Sequence, residues 1–250
     1  MLKEIKNLLA FLTILPVGMD QDCLVDTARY MPLFPLVGAL IGLLAGMSAW
    51  LLSSVLPDLV LGMLILGFLF LITGLHHTDG LLDFGDGLMY QGPSEKKIEV
   101  MHDQQTGAGG LTLGLVVLLT TAFSIAGLKR SIMVQSLITS EALAKLAMVL
   151  GAWVGKSAHE GMNTVFVSMM HGEHRALRLA LALATSFGLA LPLLGVTGFI
   201  TAITALIASL IMIKISTRHF GGVTGDVMGA MNDIVRAFSL VTILVAVRWV

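Results

Sequence analysis

The chain has 250 residues, of which 56% are hydrophobic and only 12% charged, and its formal net charge is −1. An ordinary soluble domain carries about 25% charged residues, so the composition excludes that class and predicts a membrane protein. The near-zero net charge and the lack of a basic stripe argue against nucleic acid as a partner. The single cysteine, Cys23, excludes an intrachain disulfide.

The first predicted element is the segment from Met1 to Pro16. It begins with Lys3, Glu4 and Lys6 and continues into an apolar run that is too short to span a bilayer. No small-residue cleavage site of the kind that ends a secretory signal follows it. We therefore predict an N-terminal interfacial helix whose charged residues face lipid headgroups.

Long apolar blocks make up most of the remaining chain. Each is near the ~20 residues that an α-helix needs to cross a ~30 Å hydrocarbon core. We predict an all-α, polytopic helical membrane protein with about seven transmembrane helices, forming a single catalytic domain over residues 1–250. The predicted spans are Pro32 to Leu56, Leu59 to Leu75, Gly110 to Leu128, Ile132 to Val154, Leu177 to Leu194, Gly198 to Ile215 and Ile234 to Val250.

The distribution of Lys and Arg predicts the orientation. With the N-terminus inside, the polar segments 76–109, 155–176 and 216–233 all lie in the cytosol, where a cytosolic substrate can reach them. The positive-inside rule favours this arrangement, because eleven basic residues are then inside and three outside. The inner ones are Lys3, Lys6, Arg29, Lys96, Lys97, Lys156, Arg175, Arg178, Lys214, Arg218 and Arg236, and the outer ones Lys129, Arg130 and Arg248.

The most informative polar segment is HHTDGLLDFGDGL, residues 76–88. Asp79, Asp83 and Asp86 are spaced i, i+4 and i+7, so they project from one face if the segment is helical. No Lys or Arg occurs in the segment or in the apolar block before it, so no local cation offsets their repulsion. Hard oxygen ligands suit Mg²⁺, which often shares its shell with phosphate, so we predict a magnesium site facing a phosphorylated substrate. The alternative is a solvated loop.

Other residues of this segment have two interpretations each. His77 is a candidate general base or additional ligand, or else a polar anchor at the membrane interface. Gly80 and Gly87 leave room beside the carboxylates for a ligand or for another backbone.

The segment MHDQQTGAGG, residues 101–110, is the second candidate. Asp103 is either a metal ligand or a general base, and the glycines let backbone N–H groups approach a phosphate. A flexible loop capped by Asp103 is the alternative.

Two further groups have open alternatives. Glu141 and Lys145 stand i, i+4 within an apolar block, so Lys145 either reaches an anionic substrate or is neutralised by Glu141. The segment GGVTGDVMGAMND, residues 221–233, contains glycines that permit close backbone approach, and Asp226 begins a predicted helix whose N-terminus could hold a phosphate. A plain capped loop is the alternative there. The candidate residues of this segment are Gly222, Thr224, Gly225, Asp226 and Asn232.

Several of these segments together resemble the cobalamin 5'-phosphate synthase family, also called adenosylcobinamide-GDP ribazoletransferases. FLTILPV (11–17) and FPLVGALIG (34–42) are similar to its N-terminal part. The acidic signature matches through His77, Asp79, Asp83 and Asp86. MHDQQTGAGG and GGVTGDVMGA match its two later motifs.

The resemblance implies an enzyme that joins α-ribazole, or its 5'-phosphate, to adenosylcobinamide-GDP and releases GMP, using Mg²⁺. It implies Asp79, Asp83, Asp86 and Asp226 as metal ligands, and Asp103 and His77 as catalytic residues. Substrate binding is assigned to Lys145, Gly222, Thr224, Gly225 and Asn232. It also implies a cytoplasmic (inner) membrane location in a prokaryote, and leaves a homo-oligomer open.

The chain departs from the family pattern in several places. Gln104 and Gln105 stand where the family usually has Ser-Arg, which removes a phosphate-binding guanidinium. Lys145 and His159 replace arginines, and a lysine keeps the charge but loses the bidentate fork.

Two other functions remain as alternatives. A CDP-alcohol phosphotransferase has a motif that begins D-x-x-D-G, as residues 83–87 do, but it continues Ala-Arg where this chain has Tyr90 and Gln91. An ion-coupled transporter predicts charges near the membrane midplane, whereas only Glu141 and Lys145 lie deep in a span.

Overall fold

A computed structural model describes residues 2–16 and 23–249 of the chain. Within these residues it contains eleven α-helices, a short 3-10 turn at Met31–Leu33 and one isolated β-bridge between Ser157 and Val223. The all-α class is thereby confirmed. The helices are α1 (Leu2–Leu12), α2 (Cys23–Arg29), α3 (Phe34–Leu52), α4 (Asp58–Thr73), α5 (His76–Met89), α6 (Ser94–Met101), α7 (Ala108–Ala126), α8 (Met133–Val154), α9 (Met162–His171), α10 (Arg175–Phe220) and α11 (Gly225–Ala246).

Five described helices are long and apolar enough to cross a membrane: α3 with the preceding turn, α7, α8, α10 and α11. A sixth crossing is added if α4 and α5 count as one broken span. A polytopic membrane protein is confirmed, while the number seven stays a prediction.

Helix α10 is 46 residues long and is interrupted at Gly195, whose backbone (φ 57°, ψ −132°) is not helical. The rings of Phe187 and Phe199 lie with centroids 6.2 Å apart. In a straight helix, twelve residues would separate them by about 18 Å along the axis. The chain therefore folds back at Gly195, between the segments predicted as two separate spans.

Helix α8 forms the centre of the bundle, packed against α3, α10 and α11. Close contact with α3 depends on Gly38 and Gly42, because a Cβ at either position would overlap a backbone carbonyl of α8, that of Glu141 or that of Leu137. Small residues allow this approach between helices in a membrane. The contact holds the polar residues of α8 inside the bundle.

A bend of 101° separates α4 from α5. It is made by Gly74 (φ 70°) and Leu75 (φ 65°), both left-handed, which end α4 and restart the helix in a new direction. Helix α5 has 14 residues, too few to span a bilayer. It packs against α7 and α11 and buries Leu81 and Phe84.

The predicted N-terminal helix is present as α1. One side of it packs into the protein, where Leu8 and Leu12 are buried in the core, and α2 packs beside it. Its lipid-facing role stays a prediction. Met1, Val17 at the end of the FLTILPV segment and Val250 at the end of the last predicted span lie outside the described residues.

Candidate active site

Four carboxylates from two helices form what we call the acidic cluster: Asp79, Asp83, Asp86 and Asp226. Since α5 is helical, its three aspartates share a face, as the i, i+4, i+7 spacing predicts. Asp226 lies in the first turn of α11 and approaches them because Gly80 has no side chain. A Cβ at Gly80 would be 2.8 Å from the Asp226 Cα. The space beside this glycine is thus filled by another backbone.

The acidic cluster is electrostatically uncompensated. None of its members forms an ion pair within residues 2–16 and 23–249. Burial raises the pKa of Asp83 from 3.8 to about 7, and repulsion from Asp79, Asp226 and Asp86 adds to this rise. Its carboxyl group therefore favours a bound proton or cation at neutral pH.

Asp86 has an additional structural role. Its two carboxylate oxygens accept hydrogen bonds from the backbone N–H groups of Gly107 (2.7 Å) and Gly110 (2.8 Å). These groups belong to the start of α7, so the carboxylate caps that helix. The backbone N–H groups expected to approach a phosphate are directed at Asp86.

Among the described residues, no three His, Cys, Asp or Glu side chains are already arranged to hold a metal ion. The chemistry of the acidic cluster nevertheless fits Mg²⁺, which prefers hard oxygen ligands and commonly takes one or two carboxylates together with substrate phosphates and water. These carboxylates therefore suit a Mg²⁺ ion that also binds the phosphates of a ligand.

A cavity of about 630 Å³ lies against the acidic cluster. Asp79 and Asp226 line its acidic end, together with four histidines. The rest of the lining is mainly aromatic rings and methionines. The histidines are His76, His77, His102 and His159.

His77 is 7% exposed, and its Nδ1 has no hydrogen-bond partner among the described residues. The Nε2 of His159 is likewise buried and without a partner in that part of the chain. The His159 ring stands edge-on to that of His102, with centroids 5.2 Å apart. Buried polar atoms are normally hydrogen-bonded, so these nitrogens point to a ligand.

His102 was missed by the sequence analysis, although it precedes Asp103 within a recognised motif. Asp103 itself is exposed and does not line the cavity. Its Oδ1 accepts a hydrogen bond from the N–H of Gln105 at 3.1 Å. Its catalytic role stays a prediction.

The 221–233 segment forms the start of α11. The Thr224 side chain caps the helix by accepting the N–H of Val227 at 3.1 Å, which confirms the helix predicted to begin here. Gly222 is buried, and its carbonyl accepts a hydrogen bond from Ser216. Gly225 lines the cavity. Of the glycine positions proposed for substrate, Gly225 is thus the exposed one.

A second set of charges, which we call the buried ion network, lies between α8 and α11. The Arg236 guanidinium donates to both Glu141 carboxylate oxygens, one of them at 3.3 Å, and to Asp233 at 2.7 Å. Lys145 donates to Asn232 at 2.6 Å, and Asn232 donates to Asp233 at 2.9 Å. All five residues are at most 1% exposed.

The buried ion network shows which groups Glu141 and Lys145 contact. Glu141 is paired with Arg236, which the orientation analysis counted among the cytosolic charges but which is buried in α11. Lys145 and Asn232 are engaged with each other, and neither lines the cavity. Their assignment to substrate stays a prediction.

A hydrogen bond joins the network to α5, the helix that carries three members of the acidic cluster. Thr78 Oγ1 on α5 donates to Asp233 Oδ2 at 2.9 Å. Thr78 directly precedes Asp79, so the position of the acidic helix depends on α11.

These features define a class: an all-helical polytopic membrane protein with an uncompensated acidic cluster beside a cavity of ligand size. The sequence profile of the cobalamin-5-phosphate synthase family matches residues 4–244. The chain therefore belongs to that family.

Named relatives agree with the profile. The adenosylcobinamide-GDP ribazoletransferase of Methanocella arvoryzae is 36% identical over 269 residues, covering 100% of this chain and 97% of that protein. Proteins of the same name from Methanococcoides burtonii and Methanosarcina mazei are 33% and 32% identical, covering 98% and 97% of this chain and 93% and 92% of their own lengths. No solved structure matches the chain.

Proposed function

We propose that this protein transfers the cobinamide-phosphate group of adenosylcobinamide-GDP to α-ribazole, or to its 5'-phosphate, and releases GMP. The observation that carries the proposal is the acidic cluster, which lies uncompensated at one end of a cavity in a member of this family. Such a cluster suits a substrate that brings phosphates and a divalent cation.

The reaction requires one bond to form and one to break. A hydroxyl oxygen of α-ribazole attacks the phosphorus that carries cobinamide, the bond from that phosphorus to the GMP oxygen breaks, and the hydroxyl proton passes to a base. Catalysis of phosphoryl transfer is mainly positioning and neutralisation of charge.

The residues that would hold Mg²⁺ are Asp79, Asp83 and Asp226, with Asp86 holding the start of α7 beside them. When bound, the ion would supply positive charge to the diphosphate of the donor substrate. Asp79 and Asp226 already line the cavity, so the diphosphate end of the substrate belongs at its acidic end.

His77 is the residue best placed to receive the hydroxyl proton, since it lines the cavity and its Nδ1 has no partner among the described residues. Asp103 is a second candidate that would have to act through a rearranged loop, because it now faces outward. We place this site on the cytosolic side of a prokaryotic cytoplasmic membrane, following the excess of Lys and Arg in the polar segments.

The test is GMP release by the purified full chain given adenosylcobinamide-GDP and α-ribazole, with and without Mg²⁺. We expect release only with Mg²⁺. Asp83→Asn should lower turnover by at least about a hundredfold, because it removes charge at nearly constant shape. Asp58→Asn, an exposed Asp in the first turn of α4, is the matched control and should retain activity.

Three results would contradict the proposed reaction, and a fourth would contradict the role of the acidic cluster. A folded wild-type protein that releases no GMP from these substrates would overturn the proposal. Release of CMP from a CDP-alcohol would favour the lipid phosphotransferase, and ion-coupled uptake by proteoliposomes would favour a carrier. Wild-type turnover by Asp83→Asn would remove the assignment of the acidic cluster.

A further inference from the structure

The lining of the cavity beside the acidic cluster has two chemically different parts. Besides the carboxylates, it includes three rings from three helices that meet one another: Phe11 of α1, Phe34 of α3 and Phe166 of α9. Their centroids are 5.3 to 6.4 Å apart, and all three line the cavity. We call them the phenylalanine wall. Phe11 is the partly exposed ring, and Phe34 and Phe166, which are 0% and 4% exposed, pack around it, so a flat heterocycle would meet Phe11 first.

The side-chain donors near the phenylalanine wall are engaged within the protein. The amide nitrogen of Asn163 donates to Ser157 at 2.8 Å and to the Val223 carbonyl at 2.7 Å. The Cys23 thiol faces the Asn7 carbonyl at 3.6 Å. The two carboxylates that line the cavity, Asp79 and Asp226, belong to the acidic cluster. The rings therefore suit a base with few hydrogen-bonding groups on its edge.

The cavity lining also includes two histidines with a ring nitrogen that lacks a partner in the described part of the chain, Nδ1 of His77 and Nε2 of His159. A ligand with hydroxyl groups in its middle would satisfy both. The cavity volume of about 630 Å³ is within the range of roughly 300–1,000 Å³ typical of small-molecule sites. A corrinoid, several times larger than a nucleoside, would have to remain largely outside.

We propose that this cavity is the acceptor site: the apolar benzimidazole base of α-ribazole lies against the phenylalanine wall, and its ribose lies between His77 and His159. This inference rests on the proposed function. The guanine of the donor substrate is the less suitable occupant, because its donors and acceptors would face rings and methionine side chains. Because His77 and Asp79 both belong to the first turn of α5 and both line the cavity, a ribose at His77 would lie beside the acidic cluster, where the donor diphosphate is expected.

The test separates the two substrates kinetically. In Phe166→Leu and Phe11→Leu the wall keeps its apolar character but loses a flat ring. We expect the KM for α-ribazole to rise about 3- to 10-fold, while kcat and the KM for adenosylcobinamide-GDP change less than about 2-fold. The matched control is Phe187→Leu, which alters a ring pair that does not line the cavity and should change neither KM.

Binding to the wild-type chain provides a second measurement that needs no variant. In calorimetry without Mg²⁺ and donor, α-ribazole should bind, and excess benzimidazole riboside should compete with it while excess guanosine should not. Competition by guanosine, or a rise in the KM for adenosylcobinamide-GDP alone, would overturn the acceptor site and assign the wall to the donor base. Unchanged KM values in both wall variants would also overturn it. Absence of any GMP release by the wild type would instead refute the proposed function itself.

Discussion

The acidic cluster and the buried ion network use the same residue types in opposite ways. In the network, Glu141 and Asp233 are matched by Arg236 and Lys145, so its formal charge is balanced. In the cluster, four aspartates gather without an ion pair among the described residues. The network is almost fully buried, while Asp79, Asp83, Asp86 and Asp226 are exposed or half-buried.

The acids of the buried ion network therefore stabilise the fold, whereas those of the acidic cluster are available to bind a ligand. A buried charge without a partner is strongly destabilising, so a carboxylate retained inside a bundle comes with its own cation. A carboxylate at a water-filled cavity can remain unpaired, since solvent and an incoming cation offset its charge. Perturbation of the two groups should therefore have opposite effects on stability.

The largest effect is expected for Arg236→Met. It leaves Glu141 and Asp233 buried without their guanidinium, which should lower the free energy of unfolding by about 3–5 kcal/mol. Thermal unfolding of the purified protein in detergent measures this loss. Arg218→Met, at an exposed arginine of α10, is the control and should change stability little. A loss below about 1 kcal/mol for Arg236→Met would mean that the network does not depend on this arginine.

An intermediate effect is expected at the acidic cluster. At pH 8, Mg²⁺ at about 100 times its dissociation constant should stabilise the wild type by about 2.7 kcal/mol. The response of Asp83→Asn should be clearly smaller. Melting curves with and without Mg²⁺ check this. Samples that contain EDTA give the metal-free baseline. An equal response of the two proteins would place the ion elsewhere.

The pH dependence without metal gives the sign of the Asp83 contribution. Its pKa of about 7 in the folded protein exceeds the ordinary value of 3.8, so the folded state holds the proton more tightly than the unfolded chain. Stability from this group is therefore full below about pH 4 and is lost as the pH rises toward 7. Asp83→Asn should exceed the wild type in melting temperature at pH 8, by more than it does at pH 5. The reverse order would contradict an uncompensated cluster.

The smallest effect is expected for Thr78→Val, which preserves shape but removes the hydrogen bond to Asp233. We expect a loss of about 1 kcal/mol in unfolding free energy. Thr185→Val serves as the control, because that hydroxyl bonds only to the Leu181 carbonyl of its own helix. If both variants have the same melting temperature, the hydrogen bond between α5 and the buried ion network contributes no stability.

Local features of the site could be predicted from the sequence. The common face of Asp79, Asp83 and Asp86 follows from helical periodicity, and the helix predicted to begin at Asp226 is α11, which begins one residue earlier and is capped by Thr224. Both depend on neighbours a few residues apart, where the spacing of side chains is fixed by the helix itself.

Long-range partners could not be predicted in the same way. Glu141 was matched with Lys145 one turn away, but its partner Arg236 is 95 residues distant. The phenylalanine wall combines α1, α3 and α9, and nothing near Phe11 or Phe166 in sequence distinguishes them from other apolar residues. Such groupings arise only when the helices pack.

The hydrogen bond from Thr78 to Asp233 has a consequence for genetics. Thr78 and Asp79 are encoded by adjacent codons, yet Thr78 stabilises the packing of the bundle and Asp79 lines the proposed active site. A selection that scores only the end product will return mutations at both positions without distinguishing them. Measuring protein abundance alongside growth sorts them, because Thr78 alleles should lower the amount of enzyme and Asp79 alleles should leave a normal amount of inactive enzyme.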